Sequence, residues 1–107
     1  MGLLNLFKPS ETTAFAQSLA RDIAKRYPPN LDQQPGKRPS INRLTRILEE
    51  ACERAVDFKI KNRLGVIGKA RLSNTFRWEL DGLGYTKEFS SLAVEALVVS
   101  MSRKPKQ

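Results

Sequence analysis

Cys52 is the single thiol of a 107-residue chain that contains no histidine. A nucleophilic cysteine needs a neighbouring base or cation to hold it as thiolate, and the commonest such base, also the commonest metal ligand, is missing. Ala51 and Glu53 place Cys52 in a helical pattern, where a small buried residue is the expected role. Glu49, Glu50 and Glu53 set carboxylates about one helical turn apart, as an acid/base pair or a magnesium site would. Arg46 and Arg54 lie within a turn of them, however, and interleaved charges of this kind are the solvated face of a long helix. Neither a Gly-x-x-x-x-Gly-Lys phosphate loop nor a dinucleotide fingerprint occurs. The expectation is a protein that is not an enzyme, with no catalytic, cofactor-binding or metal-binding residues.

The other chemistry available is charge. Nineteen Lys and Arg against eleven Asp and Glu give a net +8, and eleven of the bases fall in residues 37–77 with only four acids. Residues 78–102 reverse the balance, with one base and four acids. The densest basic run is Lys59, Lys61, Arg63, Lys69 and Arg71, and Lys69, Ser73 and Arg77 recur at i, i+4, i+8. Lys59, Lys61, Arg63, Lys69, Arg71 and Arg77 are thus candidate phosphate contacts for a nucleic acid. Lys37 and Arg38 could add to them from a flexible loop. Against this stands helix-end electrostatics, since cations in the last turn are favoured by the macrodipole with no ligand present.

Apolar residues recur with helical period along the chain, and no period-2 run competes. The fold class read from this is all-α, a compact bundle of about four helices with a Pro-rich loop between helices one and two. Ser10 is the expected cap of a first helix, whose inner positions are Phe15, Ala16, Leu19, Ala20, Ile23 and Tyr27; Pro28 and Pro29 end it. From there to Pro39 the four prolines and Gly36 predict a mobile linker. Ser40 opens a second helix with Ile41, Leu44, Leu48, Ala51, Ala55 and Phe58 as its stripe and Ile47 widening it. On its outer side Glu50–Arg54 and Asp57–Lys61 are expected i, i+4 pairs. Gly65 is the expected left-handed cap before a third helix over 66–80, which buries Leu72, Phe76, Leu80 and Leu83, with Ile67 and Trp78 on a second apolar side. Thr86 caps a fourth helix that is apolar nearly all round and so must be buried all round. A bundle this small encloses such a helix most simply by self-association. Trp78, Val94, Val98 and Met101 are therefore the candidate protein interface.

Two short segments resemble known motifs. Gly65-Val-Ile-Gly68-Lys69-Ala70-Arg71 resembles the start of the Gly-x-x-Gly loop of KH RNA-binding domains. Arg71 stands where that family has its second glycine, and the flanking strands are missing, so the loop's close approach to phosphates is not expected. Met1 to Lys8 resembles the short amphipathic membrane tags of some bacterial cell-division regulators. Leu3, Leu4, Leu6 and Phe7 share one side of a helical projection and are the candidate membrane contacts. Packing of Leu4 and Phe7 onto the first helix is the competing reading.

The domain division is an apolar segment 1–9, a helical domain 10–102 and a basic tail 103–107. The longest apolar stretch, Leu92–Met101, is about half of what a membrane-spanning helix requires. A lone cysteine and no secretion signal suit a reducing, cytoplasmic setting. The function expected is a small interaction protein, adaptor or regulatory, that forms a homodimer or meets another protein through the hairpin of helices three and four. A nucleic-acid-binding module at the junction of helices two and three is the alternative. Weak membrane association through residues 1–8 is the lesser one.

Overall fold

The computed structural model describes residues 9–103, which form helices and turns without strands. The apolar segment through Lys8 and the tail beyond Arg103 lie outside the described residues, and with them Leu3, Leu4, Leu6 and Phe7. Helix α1 runs Pro9–Arg26, α2 Pro29–Asp32, α3 Ile41–Asn62, α4 Val66–Leu83 and α5 Lys87–Ser102, with a 3-10 turn at Pro35–Lys37. The all-α bundle expected from the periodicity is the fold observed. No helix among the described residues is long and apolar enough to cross a membrane.

The inner face of α1 falls where its period puts it: Ala16, Leu19, Ala20, Ile23 and Tyr27 are buried. Ser10 is not its cap, because the helix includes Ser10. Helix α1 lies against both α3 and α4, and α5 closes the other side by packing on the same two helices. Side-chain pairs fix the directions. Phe15 stacks on Phe58 at 4.2 Å, while Arg26 meets Glu50, so α1 and α3 run in opposite senses. Arg54 bonds Asp22 and Ser18 and lies 5.4 Å from the Phe15 ring centroid. The pairing expected along α3 is therefore replaced by pairing across helices: Glu50 takes Arg26 and Arg54 takes Asp22, because α1 covers that face.

The α3 stripe is centred on Ile47, Ala51, Cys52 and Ala55, with Leu44, Leu48 and Phe58 at its edges. Ile41, expected inside, is 76% exposed, since it lies in the first turn beyond the reach of α1 and α5. Helix α4 buries Leu72, Phe76 and Leu80, but Leu83 is exposed in its last turn. Helix α5 buries Phe89, Ala93, Val94, Leu97 and Met101 and leaves Leu92, Val98 and Val99 exposed. Its all-round apolar character is therefore not matched by all-round burial among the described residues.

Two turns differ from expectation. Gly65 has φ −87° and precedes α4; the left-handed residue is Arg63, at φ 52° and ψ 49°. There the Leu64 N–H donates to the Lys59 carbonyl and the Arg63 N–H to that of Ile60, which closes α3 two residues earlier than the glycine would. Glycine does play this part at Gly84, φ 105°, between α4 and the α5 cap Thr86.

The proline-rich segment is the larger correction. It is no free linker: Pro29 starts α2, Pro35 starts the 3-10 turn, and Asp32 between them is 2% exposed. Proline suits a helix start because its fixed φ is already helical and its missing N–H would be unpaired there. Short helices need tertiary support, and Asp32 supplies it.

Candidate interaction surface

The candidate surface is the α4–α5 hairpin, and the Asp32 fastening beneath it sets its position. The Tyr27 hydroxyl donates to Asp32 Oδ1 at 2.6 Å; the Thr86 backbone N–H and hydroxyl donate to Oδ2 at 2.7 and 2.8 Å. Arg38 donates twice to the Asp32 carbonyl, at 3.1 and 2.7 Å, with its Nε 3.7 Å from Oδ1. Burial alone would raise the Asp32 carboxyl, but the bonds from Tyr27 and Thr86 and the charge of Arg38 outweigh it and hold it below the usual carboxylate range. Burial raises both tyrosines beside it, Tyr27 helped by its bond to Asp32 and Tyr85 by the Asp32 charge. The Tyr85 hydroxyl donates to the Tyr27 carbonyl, and Phe89 meets Tyr27 edge-on at 5.1 Å. This network consists of satisfied partners around one carboxylate, so it orients α5 on α1 rather than presenting a reactive group. No local pattern around Asp32 in the sequence marks this network.

Above this base, α4 points its outer strip into solvent. Ile67, Arg71, Asn74 and Trp78 follow at i, i+4, i+7 and i+11, all exposed, with Ile67 at 75% and Trp78 at 68%. Of the four side chains expected at an interface, Trp78 and Val98 are exposed, whereas Val94 and Met101 are core residues at 7% and 1%. Between α4 and α5 an open groove of about 600 Å³ is lined by Ile67, Asn74, Arg77, Arg71 and Val94. A second groove, about 330 Å³ and more apolar, lies between Val66, Lys69 and Ala70 of α4 and Val98 and Met101 of α5.

The six basic candidates do not form one patch. Lys59 donates from Nζ to the Met101 carbonyl at 2.7 Å, capping the end of α5. Arg77 reaches Ser91 Oγ at 3.4 Å, and with Arg71 it lines the groove on the outer strip. Lys61 and Arg63 are exposed at the α3–α4 corner, with Lys69 one turn into α4. Helical phase separates these sets: residues 59–63 end one helix while 71 and 77 sit on the far side of the next.

Cys52 is 8% exposed, and burial pushes its thiol up; a bond from Ser100 opposes the shift and the Glu49 charge adds to it. A raised thiol is less thiolate at neutral pH and a poorer nucleophile. No protein family, curated protein or solved structure matches this chain.

Proposed function

We propose that this chain is a non-enzymatic interaction protein, adaptor or regulatory, that self-associates through the outer strip of α4 in a cytoplasmic setting. The observation that carries the reading is Trp78, the only tryptophan, 68% exposed on a helix face that the other described residues leave uncovered. Tryptophan is enriched at binding hot spots because it offers a large apolar area with few torsions to freeze. The strip also suits a two-fold contact. Two copies of α4 crossed antiparallel with Ile67 facing Trp78 of the second copy bring Arg71 opposite Asn74 of the second copy, so each pairing occurs twice, as an isologous interface requires. Val98 extends the apolar surface on the α5 flank.

Sedimentation velocity over a wide concentration range tests this. The wild-type chain is expected to pass from monomer to dimer, and Trp78→Ser to remain monomeric. A wild-type monomer at every concentration would sink the reading.

A second reading rests on the same groove. Arg71, Asn74 and Arg77 line the groove between α4 and α5, and Trp78 is exposed on the adjoining strip, a set of donors and one π-face suited to a nucleic-acid strand. Anisotropy titration with duplex and single strands at two salt concentrations separates the two, because phosphate neutralisation gives an affinity that falls steeply with salt.

A further inference from the structure

Four helix ends meet at one pole of the bundle. Phe15 against Phe58 puts the start of α1 beside the end of α3, and the corner Arg63–Gly65 leads directly into α4. Lys59 bonded to Met101 brings the end of α5 to the same place, as does the groove that Val66 and Lys69 share with Val98 and Met101. This pole carries two side-chain classes. Ile60, Val66 and Ile67 are 56%, 79% and 75% exposed, unusual values for β-branched aliphatic residues gathered within eight positions. Between and beside them stand Lys61, Arg63 and Lys69, and none of these three is paired with a carboxylate among the described residues. Glu11, Glu53 and Asp57 are the exposed acids nearest this end, against Lys61, Arg63, Lys69 and Arg103, so cations prevail.

We propose that this pole binds the surface of an anionic lipid bilayer, with Ile60 and Val66 entering the headgroup boundary and Lys61, Arg63 and Lys69 meeting lipid phosphates. A nucleic acid satisfies the cations but sets exposed Ile and Val against a polar backbone. A protein groove satisfies the aliphatic groups without calling for three unpaired cations around them. Only the bilayer boundary offers apolar depth and anionic charge in one plane. The contact is modest and reversible for one copy. Ile60 and Val66 lie outside the Trp78 strip, so the two readings fail independently.

The test is co-sedimentation of the full chain with vesicles of phosphatidylcholine containing phosphatidylglycerol, set against phosphatidylcholine alone. Binding is expected on the anionic vesicles only and should fall with salt. The double variant Ile60→Ser/Val66→Ser should bind at least about tenfold more weakly, since two aliphatic side chains lose their apolar contact. Lys61→Ala and Lys69→Ala should each cost about fivefold. Ile41→Ser, equally exposed at the opposite pole, should bind as wild type, and circular dichroism and sedimentation should show every variant folded with its oligomeric state intact. Any of these results would overturn the proposal: no pelleting with anionic vesicles at low salt; equal pelleting with both vesicles; wild-type binding by Ile60→Ser/Val66→Ser; or tighter binding to duplex DNA that this double variant leaves unchanged. Complete loss on Leu4→Ser/Phe7→Ser together with unaltered binding by the pole variants would overturn it as well.

Discussion

Asp32 and Thr86, 54 positions apart, are joined by two hydrogen bonds to one carboxylate oxygen. Thr86 uses its backbone N–H and its hydroxyl on Asp32 Oδ2, and the same hydroxyl accepts the Phe89 N–H as the cap of α5. One threonine thus starts a helix and fastens it to the proline-rich strap.

Removing that carboxylate should be costly. Asp32→Ala strands the Tyr27 hydroxyl and the two Thr86 donors without their acceptor, while Arg38 keeps the backbone carbonyl, a change expected to destabilise the fold by about 3 kcal/mol. Chemical denaturation monitored by circular dichroism checks it. Asp32→Asn, which keeps an acceptor but loses the charge, should fall between the two.

Acid should act through the same group. Because the folded-state pKa of Asp32 is depressed, its contribution is fully present above the unfolded value of about 3.9 and is lost as pH falls through the folded value. Stability should therefore drop below about pH 4 in the wild type and drop less in Asp32→Asn. Equal slopes in the two proteins would show the carboxylate to be uncoupled from folding.

The alkaline limb has the opposite sign. Tyr27 and Tyr85 are raised in the folded state, so the stability they lend is intact below the unfolded tyrosine value of about 10 and declines as pH rises above it. Tyrosinate absorbance should develop only with unfolding. A substitution of either tyrosine by Phe should remove part of that alkaline loss while weakening the fold at neutral pH.

Arg63 occupies a left-handed backbone conformation, in which Cβ crowds the following carbonyl. Arg63→Gly should stabilise the chain by about 0.5–1 kcal/mol, and Arg63→Val should destabilise it by more. Thermal melting of the two variants gives the sign directly.

Trp78 is a built-in reporter. With one tryptophan, mostly in water in the single chain, emission should shift to shorter wavelength and quenching by acrylamide should fall as concentration rises. A spectrum independent of concentration would argue against the α4 contact.

Helical period made most of the fold legible in the sequence, because Ala16, Leu19, Ile23, Leu72, Phe76 and Leu80 recur with the spacing of one buried face. The fastening at Asp32 was not legible. An Asp between prolines has the composition of a turn, and nothing local says that Tyr27, Arg38 and Thr86 converge on it. The left-handed position was misplaced for a related reason: glycine is the default there, but the bonds from Leu64 and Arg63 close α3 before Gly65 is reached. For the surface, Trp78 and Val98 could be read from an apolar excess that four helices could not hide. Val94 and Met101 could not be told from them, since a helix apolar on nearly every side does not reveal which side its neighbours take. Lys59 likewise looked like its neighbours in the basic run, although its ammonium is engaged by the Met101 carbonyl.

The Asp32–Thr86 tie also imposes an order in time. As the chain is synthesised from its N-terminus, Asp32 emerges long before the threonine that satisfies it. Until α5 follows, α1 and the strap hold a carboxylate with two of its three hydrogen-bond donors missing and an aromatic cluster without Phe89. The nascent chain thus cannot lock its first third before its last third exists. Closure is a single late event, and a ribosome-bound fragment ending before residue 86 should remain open to proteases that the finished chain resists.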